Sequence, residues 1–471
     1  MIVATFLQDP DFIRVLYIIA FALFIYGLSG LTGPRTAVRG NQIAAVGMGI
    51  AVVATLLLPE LGDNWVLIVV GVVIGTIVGV PAARNVKMTQ MPQMVALFNG
   101  VGGGAVALIA WVEFRHSGGY DDTATYVTIF SLFAAIVGSV SFWGSNIAFG
   151  KLQEIIPGRP ISLGAAQQFA NIALLAGAVA CGVAIAGGSH AEILMIGLLV
   201  LAALLGNAVV LPIGGADMPV VISLLNAFTG LSAAATGIAL DNTALIVAGM
   251  IVGASGTILT NLMAEAMNRS IPAIVRGGFG GVITTGGAGE DGSEKTVRST
   301  SAADAAIQMS YANRVVIVPG YGMAVAQAQH AVREMTKLLE GKGVEVAFAI
   351  HPVAGRMPGH MNVLLAEADV PYEQLREMDD ANGDFARTDV SLVIGANDVT
   401  NPDARNKADS PIYGMPILNV DESSSVIVLK RSMNSGFAGI DNPLFYNDKT
   451  AMLFGDAKSS VSDITEELKQ L

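Results

Sequence analysis

Residues 319–325 read Pro-Gly320-Tyr321-Gly322-Met323-Ala324-Val325, with the β-branched run Val315–Val318 before them and a helix-forming stretch after them. Two glycines spaced in this way between a strand and a helix match the opening of a dinucleotide fingerprint. The first allows a tight turn and the second lets a phosphate reach the backbone. The third position is Val325, where the fingerprint has Gly or Ala, so the context carries more than the bare motif. Two further glycine-bounded polar turns follow strands: Gly355-Arg356-Met357-Pro358-Gly359 and Gly395-Ala396-Asn397-Asp398. Ligands of open α/β sheets bind at such carboxyl ends. None of the turns offers a metal-ligand cluster or a nucleophile beside a base. Hydride transfer needs neither, because a nucleotide cofactor carries the chemistry and the protein supplies position and field.

Two details bear on which nucleotide. An NAD site usually has an acid at the end of its second strand to hold the ribose hydroxyls. Here that strand ends in His351-Pro352. A late strand ends in Lys430-Arg431-Ser432, two cations and a hydroxyl suited to an extra 2′-phosphate, with Arg431 able to bind it bidentately. The same three residues also read as an ordinary basic strand end.

A proton path through lipid needs titratable or strongly polar groups, and ionising there is costly. The apolar runs hold no histidine or acid at their centres, but they hold the amides Asn99, Asn146, Asn171, Asn207, Asn226 and Asn261. Most read as hydrogen-bond links between helices. Asp217, in Gly214-Gly-Ala-Asp-Met-Pro219 and nine residues before Asn226, stands apart. It fits a helix cap, a proton gate, or both.

These residues must be carried by two different kinds of structure. Of the 471 residues 53% are hydrophobic and 14% charged, well below the roughly 25% charged of soluble domains. Residues 1–267 hold only 20 of the 64 charged side chains. Nine charge-free windows, 15–34, 40–59, 64–83, 88–112, 123–150, 160–191, 193–216, 218–240 and 242–264, are each long enough to span a bilayer as a helix. Glycine pairs within them, as in Gly71–Gly75 and Gly100–Gly104, read mainly as helix-packing positions. Arg35, Arg39, Arg84, Lys87, Lys151 and Arg159 fall in alternate loops, which puts the N-terminus outside and the C-terminus in the cytoplasm. The first run is preceded by acids and reads as a span rather than a cleaved signal.

Residues 268–310 read as a glycine-rich, then polar linker, and 311–471 as a parallel α/β domain of Rossmann-like type. Its strands are expected at Val315–Val318, Val344–Ile350, Val390–Ile394, Ile417–Val420 and Val426–Leu429, with one helix running from the first glycine turn to about Glu340. Residues 268–471 together have 18 Lys/Arg against 26 Asp/Glu, which argues against nucleic acid as a partner. The single cysteine, Cys181, leaves no disulfide or cysteine metal site within the chain.

Over essentially its whole length the sequence resembles the β subunit of proton-translocating NAD(P) transhydrogenase. The strings that carry the likeness are Gly214-Gly-Ala-Asp-Met-Pro-Val220, Pro319–Gln329, His351-Pro352-Val353-Ala354-Gly355-Arg356-Met357-Pro358-Gly359 continuing to Glu367, Gly395–Asp398 and Lys430–Met433. The resemblance implies a Re/Si-specific enzyme of the bacterial inner membrane that passes a hydride from NADH to NADP⁺ while a proton moves inward. It implies NADP(H) on the C-terminal domain, in a reversed orientation that suits Val325, against the three glycine turns. Lys430 and Arg431 then hold the phosphate, Asp398 is the acid beside the nicotinamide, and Asp217 and Asn226 belong to the proton route. NAD(H) is implied on a partner α subunit, in a complex that is a dimer. Many members carry a histidine where this chain has Asn99, and others place it on a small membrane partner. Asn99 groups this chain with the latter. A channel or transporter gated by a nucleotide-binding domain is the main alternative, and a membrane scaffold with a degenerate nucleotide fold is a second.

Overall fold

The computed structural model describes residues 7–31, 33–58, 64–121, 123–158, 160–164, 166–214, 217–268, 270–275, 296–356, 359–410, 412–436 and 439–471. Met357, Pro358 and linker residues 276–295 lie outside them. Two compact units form, 1–213 with 221–259 and 214–220 with 260–471.

Nine helices among the described residues are long and apolar enough to cross a membrane. They are α1 (Pro10–Gly30), α2 (Pro34–Leu56), α3 (Trp65–Asn85), α4 (Met91–His116), α5 (Thr125–Leu152), α6 (Ala166–Ala186), α7 (Glu192–Val210), α8 (Met218–Ala239) and α9 (Thr243–Ala266). Helix α1 starts before its apolar window because Asp9 accepts from the Asp11 amide and Pro10 fits the first turn. Small residues let the helices touch. A Cβ on Gly103 of α4 would stand 2.9 Å from the Gly138 oxygen of α5, and one on Gly206 of α7 2.5 Å from the Val140 oxygen. Gly71 and Gly75 differ: among the described residues nothing lies within 4 Å of a Cβ at either, and α3 buries no residue. Lys151 also corrects its expected place. It sits in the last turn of α5, only 2% exposed, instead of in a loop.

In the second unit six strands form one parallel sheet: β1 (Arg314–Pro319), β2 (Glu345–Ile350), β3 (Leu375–Glu377), β4 (Val390–Ile394), β5 (Ser425–Lys430) and β6 (Thr450–Phe454), in the order β3-β2-β1-β4-β5-β6. This is the doubly wound order, reversing direction between β1 and β4. The central strands are buried along nearly their whole length, as covered parallel strands must be. Helices α10 (Ala302–Ser310), α12 (Gln329–Gly341) and α13 (Ala457–Gln470) pack together. Val332, Met335, Thr336 and Leu339 make the buried stripe of α12 at helical spacing. Residues at the end of the expected linker are thus built in. Helix α10 lies there, and the Thr300 amide donates to Met452 O at 2.9 Å.

Three strand and helix expectations change. Ile417–Asn419 is coil and Val420 begins a short 3-10 turn: Asn382 accepts from the Asn419 amide and donates to Ile417 O, and the Leu418 amide donates to Val399 O, in place of a strand ladder. Strands β3 and β6 went unread because neither Leu-Arg-Glu nor Thr-Ala-Met-Leu-Phe has a β-branched apolar run. The helix after β1 is broken into α11 (Tyr321–Val325) and α12 at Gln327, whose φ is +50°.

Candidate functional site

The carboxyl ends of β1 and β4 are neighbours at the reversal point, and each runs into a glycine turn. The turns interlock by backbone: Gly320 N donates to Ile394 O and Gly322 N to Gly395 O, both at 2.9 Å. A Cβ on Gly320 would stand 2.4 Å from Ala396 Cα, and one on Gly322 2.7 Å from Gly395 Cα. Gly395 has φ +65°, and its Cβ would be 2.4 Å from Gly322 Cα. These positions are glycine because two main chains touch there, leaving a floor of bare backbone. Helix α11 stops after five residues, so Val325 is not pressed against the sheet; it is 48% exposed and lines a cavity.

Two cavities open over this floor, of about 610 and 360 Å³. Gly322, Gly395, Ala396, Asn397, Ser435 and Gly436 line both, so they are two halves of one groove. Val325, Lys430, Arg431 and Ser432 belong to the larger half, and Gly320, Tyr321, Val353, Ala354, Gly355 and Asp398 to the smaller. Met323 and Ala324 are fully buried and line neither.

At the larger end Lys430 Nζ donates to Asn434 O at 2.5 Å and lies 4.6 Å over the Phe445 ring. Burial holds its pKa below the usual lysine value, while Asp398 and Asp441 oppose that shift. Arg431 and Ser432 are exposed and make no hydrogen bond or ion pair among the described residues. At the smaller end Gly436 passes so close to Asp398 that a Cβ would stand 2.5 Å from Oδ1. Asn442 Nδ2 fixes the base of this crossing segment by donating to Asn397 O and Oδ1, both 3.1 Å.

Two buried histidines shape the turn after β2. His351 Nε2 donates to Pro416 O at 2.8 Å, and its Nδ1 accepts from Val353 N. Burial lowers its pKa, with the Pro416 carbonyl working against the shift. His360 Nδ1 accepts from Arg356 N at 3.0 Å, which leaves the proton of the neutral ring on Nε2. Burial pushes His360 down to about 4, and the Arg356 charge adds to it. The Arg356 guanidinium itself stacks 4.6 Å from the Tyr321 ring centroid, tying this turn to the one after β1.

The membrane residues are placed separately. Asp217 is buried, and its amide donates to Gly214 O at 3.1 Å. Asn99 is buried on α4 and donates to Ser145 at 2.9 Å and Ser141 at 3.3 Å. Ser141 in turn donates to Leu225 O at 3.0 Å, beside the half-buried Asn226. Asn99 and the Asn226 turn of α8 are therefore joined through one hydroxyl. Lys151 Nζ donates to Leu211 O and Ile213 O at 2.5 and 2.7 Å, so a buried cation meets carbonyls just past the end of α7, Leu211 O also accepting from Ile161 N at 3.0 Å.

Sequence reasoning missed Asn434–Gly436, Gly455, Asp456 and Asn442. Reading Thr450–Phe454 as a strand would have placed Gly455-Asp456 at a sheet end. Nothing in the sequence marked Lys151 as buried. Among the described residues no three His, Cys, Asp or Glu side chains cluster as metal ligands.

The sequence pattern of a family described as NAD(P) transhydrogenase beta subunit matches residues 13–467. The NAD(P) transhydrogenase subunit beta of Rhodospirillum rubrum is 47% identical over 460 residues, 96% of this chain and 98% of the relative. The protein of that name from a named strain of the species matches to the same extent.

Proposed function

Because this chain belongs to the NAD(P) transhydrogenase beta subunit family, we propose that it holds NADP(H) in the groove over Gly322 and Gly395 and serves an enzyme that passes a hydride from NADH to NADP⁺ while a proton moves inward. The observation that carries this reading is the groove itself. Its two halves meet over bare backbone at the strand reversal, and its larger half ends on Lys430, Arg431 and Ser432.

The residues present fit such a nucleotide. Side chains are absent where a pyrophosphate would approach, since a Cβ at Gly322 or Gly395 would already strike backbone. Arg431 and Ser432 remain exposed for a 2′-phosphate, with Lys430 adding charge. Tyr321, Val353–Gly355 and Asp398 would border the nicotinamide in the smaller half. The bound nucleotide supplies the site that accepts or releases hydride. The chain supplies orientation and exclusion of water, through Gly436 lying against Asp398. NAD(H) is assigned to an α partner, in a dimeric complex whose small membrane subunit carries the proton-active histidine. Transfer is of the Re/Si-specific kind.

In the membrane part, residues 1–267, the route runs by Asn99, Asn226 and Asp217. Ser141 joins the first two, and Asp217 responds to the state of the nucleotide domain, 311–471, through the linker 268–310. The N-terminus lies outside and the nucleotide domain in the cytoplasm of a bacterial inner membrane. One charge crossing 100 mV is worth about 2.3 kcal/mol, roughly 50-fold in the ratio of the products. Titrating the full chain in detergent with NADPH and NADH tests the nucleotide assignment. Preference for NADPH is expected, with Arg431→Ala weakening it; equal or absent binding refutes the assignment.

A further inference from the structure

The larger half of the groove ends between two adjacent strand ends. Strand β5 brings Lys430, Arg431 and Ser432 to its wall, and its parallel neighbour β6 brings Gly455, Asp456 and Ala457. Lys430 pairs with Phe454 in the register, and Gly455 N donates to Lys430 O at 3.1 Å. The two segments thus leave the sheet side by side, about one strand spacing (~4.8 Å) apart. Asp456 is held in place by its own helix: Oδ1 accepts from the amides of Lys458 and Ser459 at 3.0 and 3.3 Å, capping α13. The carboxylate is nevertheless exposed at the cavity wall, and Oδ2 makes no hydrogen bond among the described residues. One strand end therefore offers two cations and a hydroxyl, and the strand end beside it offers a fixed anion.

We propose that Asp456 is a specificity residue that reads the ribose hydroxyl next to the phosphate. The inference rests on the reading that this groove holds a 2′-phosphorylated dinucleotide. The adenosine ribose presents neighbouring 2′ and 3′ oxygens. A phosphate on one meets Arg431, Lys430 and Ser432. The hydroxyl on the other donates to the Asp456 carboxylate, which repels a phosphate at that position. The two neighbouring strand ends thus determine which of the two oxygens is phosphorylated in the nucleotide that binds.

Competition binding to the full chain in detergent, with adenosine 2′,5′-bisphosphate and adenosine 3′,5′-bisphosphate as probes, tests this. Asp456→Asn and Asp456→Ser keep a good helix cap, and thermal unfolding checks that both variants fold. The wild type is expected to favour the 2′,5′ isomer, and both variants to lose about tenfold of that preference. Variants that fold and keep the wild-type preference overturn the proposal and leave Asp456 as a cap. A wild type that binds neither isomer overturns instead the nucleotide reading on which the proposal rests.

Discussion

Gly395→Ala is expected to destabilise the second unit by about 2–5 kcal/mol. Its φ of +65° is the first contribution, about 1–2 kcal/mol for an L side chain. The second is steric. The new Cβ would stand 2.4 Å from Gly322 Cα and 2.7 Å from Met323 N. Both are backbone atoms, and Gly322 is tied to Gly395 O by its own amide, so neither side has a rotamer to yield. Overpacking of this kind costs about 1–3 kcal/mol. In a unit of this size each kcal/mol lowers the melting temperature by about 2–4 °C, so a fall of about 4–20 °C is expected. Gly383→Ala is the control, since Gly383 lies in the helix Met378–Asp384 with nothing within 4 Å of a Cβ. There the same change should stabilise by about 0.5–1 kcal/mol. Scanning calorimetry of the full chain in detergent reads both. A Gly395→Ala transition within about 2 °C of wild type, or an equal loss in Gly383→Ala, refutes the interlocked-turn argument.

His360 gives a pH signature. Its pKa is about 4 in the fold against 6.5 as the ordinary value, so between those values the unfolded chain binds the proton more tightly. Stability from this residue is complete above about pH 6.5 and falls towards pH 4 by on the order of 3 kcal/mol. His360→Gln should flatten that part of a melting-temperature profile, and an unchanged slope contradicts it. Lys151→Met leaves the Ile213 carbonyl without its donor and Leu211 O with only the Ile161 amide, and should cost about 1–3 kcal/mol in a thermal melt. A more stable variant would mean that desolvation of the ammonium outweighs its bonds. Asp217→Asn should abolish proton pumping by the reconstituted complex, measured with a pH-sensitive dye in vesicles; normal pumping reduces Asp217 to a cap.

The sequence made the membrane helices and the central strands legible because both are continuous apolar runs, the helices long enough to meet lipid along their length and the strands buried on both faces. The glycine turns were legible as turns, but their reason was not. Gly320 and Gly322 meet Gly395 and Ala396, more than seventy residues away in the chain, and a pairing at that separation leaves no local sign. Ile417–Val420 looked like a strand because it is mostly apolar and buried, whereas its hydrogen bonds go to the Asn382 side chain and to Val399 O instead of to a strand ladder. Asp456 stayed hidden because β6 breaks the propensity pattern, with methionine and alanine where valine is usual. Lys151 reads like any loop cation until α7 supplies its carbonyls.

Reduction of NADP⁺ by NADH, followed with the purified full chain before and after adding its NAD(H)-binding partner, tests the account most directly. Transfer is expected only when the partner is present, and only weakly with Arg431→Ala. Transfer by the chain alone, or none with the partner bound, would contradict it.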